Sequence, residues 1–148
     1  MAFVFSLASV LRLRKLATER EERLLQSIHG EIARASETLN RNAAEIEAVY
    51  ASRDADSSQP LLAADLHSAY SLLDTLHGSR KQLVQHMGKL EQLKERQVVA
   101  YSKALQDREA LDQIRDQKQS EYDTYIAKQE GKLVDDAFGA KRARNRRQ

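Results

Sequence analysis

The apolar residues of this sequence repeat with a heptad spacing in two long stretches. In the first stretch, two companion rows run at seven-residue intervals, one from Leu11 and the other from Leu7. From residue 25 onward both rows are mostly apolar, as in a helix that packs along a coiled-coil seam. The rows consist of Leu11, Thr18, Leu25, Ile32, Leu39 and Ile46, and of Leu7, Arg14, Glu21, Ile28, Ala35, Asn42 and Val49. The pattern predicts a helix over residues 6–53, with Ser6 as its N-cap.

A second stretch carries the same repeat after a cluster of turn residues. Its rows consist of Leu62, Ala69, Leu76, Leu83, Leu90, Gln97, Ala104 and Leu111, and of Leu66, Leu73, Arg80, Met87, Lys94 and Tyr101. Pro60 suits the first position of a helix, because an N–H there would have no intrahelical partner. We therefore predict a turn over 54–59 and a helix over 60–130. Two heptad helices joined by a short turn fold back on each other, so the predicted fold class is all-α, a long asymmetric antiparallel two-helix coiled-coil hairpin.

The predicted pairing leaves the open end of the hairpin weaker than its middle. A turn centred near residue 57 places Leu39 beside Leu76 and Leu25 beside Leu90. Residues 107–130 then have little to pack on, and we expect them to be frayed without a partner. Polar seam residues near this end fit two readings, which both stay open: they either specify register or mark an end that docks into another protein.

Composition favours long helices over a compact globule. Of the 148 residues, 31% are charged and 5% are aromatic, and the chain has one Pro, no Trp and no Cys. A compact core of this size needs more large apolar and turn residues, whereas a hydrophobic content of 41% argues against disorder. The absence of cysteine excludes a disulfide framework and a thiolate metal site.

The two ends of the chain bear on location and charge. The first eleven residues are apolar, but they lack a positively charged start and a cleavage site, and they are too short to span a bilayer. We therefore expect a cytoplasmic protein. Residues 139–148 hold five cations and no acid, which predicts a disordered basic tail outside a hairpin domain of residues 1–138. Because no groove-reading motif accompanies the tail, we expect no specific nucleic-acid partner.

No constellation of residues predicts catalysis or metal binding. No two histidines lie four residues apart, and Asp74 with His77 makes only a two-ligand pair, whereas a zinc site needs three or four ligands. The histidines are His29, His67, His77 and His86. The sequence has no Gly-rich phosphate loop and no nucleophile motif, and a pair of helices has no concave pocket in which to desolvate a reaction. We expect no enzyme activity, no catalytic residue, no metal and no cofactor.

The opening residues carry a resemblance to a known family. FliJ-family proteins of the flagellar export apparatus begin in a way that resembles Phe5-Ser-Leu-Ala-Ser-Val-Leu-Arg-Leu-Arg-Lys15 and the Glu-, Arg- and Leu-rich helix after it. The far end is also similar, with a polar second helix, the acidic pair Asp135-Asp136 and a basic tail. The resemblance therefore covers essentially the whole chain. One position departs from the family pattern, since Leu-Asp-Glu is common where this chain reads Leu133-Val-Asp-Asp136.

The resemblance implies a non-enzymatic, stalk-like component of flagellar type III protein export. Proteins of this family insert their paired helix ends into the central pore of the export ATPase ring. They also contact a transmembrane export-gate protein and the export chaperones, which implies a cytoplasmic protein that is peripheral on the inner membrane. We expect the ring to bind residues 107–130 and four arginines of the first helix, Arg12, Arg14, Arg20 and Arg23.

The family's gate-binding face lies near the turn. By position, this face corresponds to Leu39, Ala43, Ile46, Tyr50, Leu72, Leu73, Leu76 and Leu83. Most of these residues already belong to the seam, so the candidates for gate binding are Ala43, Tyr50 and Leu72, which lie off the heptad rows. Tyrosine suits such a surface because its ring is apolar and its hydroxyl tolerates water.

Other functions stay open at this point. A flagellar export chaperone for hook-filament-type substrates is a helical hairpin of similar size, although it usually ends in an amphipathic substrate-binding helix. The stalk of a virulence-type secretion system shares the same features. A generic coiled-coil scaffold is the third alternative, and salt-sensitive retention on DNA would favour a nucleic-acid function.

Overall fold

Two long helices make up the fold. A computed structural model describes residues 2–55, 60 and 62–146, and no strand occurs among them. Helix α1 spans Ala8–Ala55 and helix α2 spans Ala63–Asn145. The helices pack against each other as a hairpin, which confirms the predicted fold class. Their contacts divide into two units, one formed by Met1–Thr18 with Lys103–Gln148 and the other by Glu19–Ser102.

The buried side chains lie on the predicted heptad rows. In α1 the residues under a tenth exposed are Leu11, Thr18, Ile28, Ala35, Asn42 and Ile46, and in α2 they are Leu73 and Leu90. All of them belong to the rows that the spacing identified. Among the described residues, each helix packs only against the other, so the core is a single layer along the seam and most other row residues are half-buried.

Within Glu19–Ser102, the helices pair about three residues away from the predicted register. Asn42 Nδ2 donates a hydrogen bond to the Leu76 carbonyl at 3.1 Å, whereas the prediction placed Leu39 at that position. The difference follows from the helix ends, because α1 continues to Ala55 and α2 begins only at Ala63. Within this unit, residues of α2 therefore meet residues of α1 about three positions later than predicted.

The helix starts also differ from the prediction. Helix α1 begins two residues after Ser6, and the carbonyl of Phe5 accepts a hydrogen bond from the Ala8 N–H at 3.1 Å. Pro60 precedes α2 and is not part of it. The carbonyl of Leu62 accepts from the N–H groups of Asp65 and Leu66 at 2.9 and 3.2 Å. Of the predicted turn, residues 56–59 lie outside the described residues.

Within the unit of Met1–Thr18 and Lys103–Gln148, α2 has contacts where fraying was predicted. Arg14 forms an ion pair with Asp107 at 3.3 Å, and the Phe3 and Tyr122 ring centroids lie 5.7 Å apart. Residues 2–5 are not helical. Chain outside a helix can advance up to about 3.3 Å per residue against about 1.5 Å in a helix, so four such residues can cover about two turns of α2.

Helix α2 ends well beyond the predicted end at residue 130. It continues through Gly131 to Asn145, so most of the predicted disordered tail, 139–148, is helical in the described residues. Gly131 has no positive φ, and one glycine inside a helix costs only about 1 kcal/mol relative to alanine. Arg142 and Arg144 lie in the last turn, where cations interact favourably with the helix dipole. Over the described parts of both helices, no stretch is long and apolar enough to cross a membrane.

Candidate partner-binding surfaces

An apolar cleft with a cationic rim lies near the start of α1. Its volume is about 280 Å³, and its floor and rim consist of Phe5, Ala8, Leu11, Arg12, Lys15 and Arg115. Positions 8, 11, 12 and 15 share one face of α1, because residues three and four apart are neighbours on a helix. Leu11 anchors this face, since only 5% of its surface is exposed.

The rim of this cleft keeps two cations available for a partner. Arg115 is held by Asp112 at 3.3 Å and by Asp116 at 3.0 Å. Neither Arg12 nor Lys15 forms an ion pair among the described residues. Unpaired cations beside apolar surface are complementary to a partner that presents a carboxylate next to an apolar side chain.

Arg14, another predicted ATPase-binding residue, is partly committed within the protein. Its side chain is 49% exposed and pairs with Asp107. One turn later, the Thr18 hydroxyl lies 2.9 Å from the Arg14 carbonyl and 3.3 Å from the Ala104 carbonyl, so its proton bridges the two helices. Arg14 therefore supports the pairing of α1 with α2 in addition to presenting charge.

A series of ion pairs covers the next turns of α2. Arg108 pairs with Asp112 at 3.5 Å, and Lys118 pairs with Glu121 at 2.8 Å. The hydrogen bond from Lys118, and then its charge, lower the pKa of the Glu121 carboxyl. These pairs lie three or four residues apart, which is the spacing that stabilises an exposed helix.

Arg20 and Arg23, the remaining predicted ATPase-binding residues, belong to the unit Glu19–Ser102. Both are exposed, and neither makes an ion pair among the described residues. Glu21 lies between these two arginines in the sequence. Gln97 Nε2 of α2 donates hydrogen bonds to the Glu21 carbonyl, at 3.0 Å, and to the Glu21 carboxylate. Glu21 is thus occupied within the seam, and its charge faces the helix pair.

A groove near the described ends of both helices contains one predicted gate-binding residue. The groove measures about 520 Å³ and is lined by Ala48, Val49, Ser52, Arg53, Asp65, Leu66, Ser68, Ala69 and Leu72. Leu72 is 49% exposed. Tyr50 does not line the groove, but the Arg53 guanidinium lies 5.4 Å from its ring centroid, which connects it to the groove wall. Ala43 is half-buried and lies outside the groove.

Comparison with known proteins decides the family. The family model described as "Flagellar FliJ protein" matches residues 3–148. The chain belongs to the FliJ family. Comparisons with curated proteins and with solved structures give no significant match. Membership makes the chain a component of the flagellar export apparatus, in a family of structural stalk proteins that are not known enzymes.

Three features of these surfaces in the FliJ-family chain were not predicted from its sequence. Arg115 joins the cleft because the non-helical segment before α1 places Phe5 there with it, and a heptad pattern does not predict such a segment. The contact of Arg53 with Tyr50 was detectable as an i, i+3 pair on one helix. The exposed apolar residues Val134 and Phe138 were missed because the predicted second helix ended at residue 130.

Proposed function

We propose that this chain is a non-enzymatic stalk of flagellar type III export that engages the export ATPase ring and connects it with the export gate and export chaperones. The observation that carries the proposal is a set of exposed arginines without ion pairs on α1, in a chain matched by the FliJ family over nearly its full length. Residues 12–23 contain five cations and three acids. Because these cations outnumber the acids, a complementary partner surface would carry acidic groups.

The proposed ring contact uses Arg12 in one unit and Arg20 and Arg23 in the other. All three are exposed, so binding them costs no internal ion pair. Residues 107–130 contribute through the cleft, where Arg115 stands beside Arg12. Arg14 contributes less, because its bond with Asp107 has to be shared or broken.

Charge reversal tests the ring contact. We expect the triple variant Arg12→Glu, Arg20→Glu, Arg23→Glu to abolish stimulation of ATP hydrolysis by the cognate ATPase, because like charges repel at the interface. Its matched control is Arg34→Glu, Lys89→Glu, Arg96→Glu, which reverses three exposed cations elsewhere. Full ATPase stimulation by the arginine variant would refute the ring contact. An equal loss of stimulation in the control variant would mean that the effect comes from net charge and not from these three arginines.

Arg14 calls for a separate variant because it has a structural partner. In Arg14→Asp with Asp107→Arg the ion pair is restored with its direction reversed. We expect this double variant to retain the helicity of the chain, as measured by circular dichroism. If its ATPase stimulation is also retained, Arg14 acts in the helix pair alone and is removed from the binding set.

The proposed gate contact uses Tyr50 and Leu72, with Ala43 as a minor contributor. Tyr50 is 39% exposed, and both side chains present apolar surface that the seam does not cover. Aromatic and large apolar side chains of this kind dominate the energetics of protein interfaces. Ala43 offers only a methyl group, which is already half-buried.

A binding assay with the purified gate domain tests this contact. We expect Tyr50→Ser with Leu72→Ser to weaken binding by at least about tenfold, since each truncation removes more than about 1 kcal/mol at a well-packed interface. The control Tyr70→Ser removes a tyrosine that is 58% exposed on α2. Unchanged affinity would remove Tyr50 and Leu72 from the gate contact, and a loss of helicity would assign them to the fold.

The proposed location is the cytoplasmic face of the inner membrane, reached through the ATPase and the gate. Export chaperones are the third proposed class of partner. Fractionation of cells with and without the gate protein tests the location. We expect less of the chain in the membrane fraction when the gate is deleted, and an unchanged amount would remove the gate as an anchor.

A further inference from the structure

The last turns of α2 form a helix that no other part of the described chain covers. Every residue from Glu130 to Arg146 is exposed, and Leu133 and Phe138 are each 69% exposed. An isolated helix of this length is marginal in water and gains its stability from packing. The segment 131–146, called here the terminal segment, therefore has a surface that is suited to a partner.

One face of the terminal segment is apolar at its start and cationic at its end. Val134, Ala137, Phe138 and Lys141 line a shallow groove along this face. Their spacing of three and four residues aligns them on one side of the helix. Lys141 continues the face, and its long apolar stem lets the ammonium reach a polar layer while the methylenes stay among apolar groups.

The charges of the terminal segment are mostly cationic and widely spread. The segment contains two acids, Asp135 and Asp136, against the five cations Lys132, Lys141, Arg142, Arg144 and Arg146. None of these cations forms an ion pair among the described residues. At 100° per residue, Arg142 and Arg144 fall on opposite sides of Lys141. Arg142 and Arg144 thus border the apolar face on its two sides, and the five cations do not point to one spot.

We propose that the terminal segment is an interfacial helix that binds the surface of an anionic lipid bilayer. Apolar side chains on one face with Lys and Arg at its borders are the pattern of a helix that lies in the plane of the lipid headgroups. The charge of a bilayer surface is spread over an area, so it attracts cations that are distributed around the helix. A binding site on a protein requires the cations to point to one place. Exposed Leu133, Val134 and Phe138 have no role on a phosphate backbone, which argues against nucleic acid.

The absence of tryptophan from the chain permits a direct test with the full-length protein. Phe138→Trp places one fluorophore on the proposed lipid-facing side, and Tyr70→Trp places one on α2 away from it. Vesicles of phosphatidylcholine mixed with phosphatidylglycerol should shift the emission of Trp at 138 to the blue and leave the control unchanged. Vesicles of phosphatidylcholine alone should have little effect, because each cation near an anionic surface contributes roughly fivefold in affinity.

Two further variants separate insertion from simple charge attraction. In co-sedimentation with the anionic vesicles, we expect Phe138→Ser and the pair Arg142→Gln, Arg144→Gln each to weaken binding by about tenfold or more. The matched control Lys81→Gln, Lys89→Gln should bind like the unmodified chain. Equal binding by Phe138→Ser would overturn insertion of the apolar face.

Other outcomes would also overturn the proposal. One is the failure of the unmodified chain to bind anionic vesicles at physiological salt. Another is a blue shift of Trp at 138 with the purified ATPase, with another acidic protein or with DNA, and none with vesicles. The lipid test needs no ATPase or gate, so its result does not depend on the function proposed above.

Discussion

At the scale of single residues, Asn42 combines a structural role with an energetic cost. Its side chain is buried in the seam, its Nδ2 donates to the Leu76 carbonyl, and its Oδ1 has no hydrogen-bond partner. A buried polar atom without a partner costs about 1–3 kcal/mol, whereas one hydrogen bond contributes about 1 kcal/mol. The residue therefore lowers stability while it favours one pairing of the helices, as buried asparagines do in coiled coils.

Replacing Asn42 tests whether its unpaired oxygen or its hydrogen bond has the larger effect on stability. We expect Asn42→Leu to raise the free energy of unfolding by about 1 kcal/mol, because it removes the unsatisfied oxygen and adds apolar contact. Urea unfolding followed by circular dichroism measures the change. Asn40→Leu, at an exposed position of the same helix, should leave stability almost unchanged. A destabilised Asn42→Leu variant would show that the hydrogen bond outweighs the orphaned oxygen.

At the scale of elements, the register of α1 on α2 in the unit Glu19–Ser102 is open to direct measurement. The chain has no cysteine, so engineered pairs report on single contacts. We expect Asn42→Cys with Leu76→Cys to form a disulfide more readily than a pair one helical turn away, because the hydrogen bond from Asn42 to the Leu76 carbonyl places these residues opposite each other. Leu39→Cys with Leu76→Cys matches the register inferred from the sequence and should oxidise poorly. The reverse result would favour that earlier register.

The non-helical segment before α1 is a second element whose contribution is testable. Phe3 is half-buried and lies against Tyr122, whereas Val4 is 84% exposed. We expect Phe3→Ser to cost about 1–2 kcal/mol and to speed amide hydrogen exchange in α2 around Tyr122, because it uncovers those turns. Val4→Ser is the matched control and should change neither quantity. Unchanged exchange in Phe3→Ser would mean that α2 holds these turns without the segment.

These elements also show what the sequence predicts and what it does not. Among the described residues, all those under a tenth exposed lie on the heptad rows, because the buried face of a helix follows its period. The register was off by about three residues because it depends on where α1 and α2 end. Phe3 and Phe138 were not identified for a related reason, since neither a non-helical segment nor a helix without a partner has a seven-residue period.

At the scale of the whole molecule, we expect different outcomes for two truncations of α2, both within the unit that contains Lys103–Gln148. A chain ending at Glu130 loses only exposed residues of the described structure and should unfold at the same temperature as the full chain. A chain ending at Asp107 loses Arg115 and Tyr122, so the start of α1 loses its cover and we expect its amides to exchange faster. Thermal unfolding and hydrogen exchange measure both effects.

The same two truncations separate the proposed functions. The chain ending at Glu130 keeps the cationic cleft, so it should still stimulate the ATPase, while it loses the terminal segment and should no longer bind anionic vesicles. The chain ending at Asp107 should fail in both assays. If the chain ending at Glu130 loses ATPase stimulation as well, the last turns of α2 belong to the ring contact. The acidic partner of Lys141, Arg142 and Arg144 would then be a protein, because only a contact with the ring makes stimulation depend on these turns.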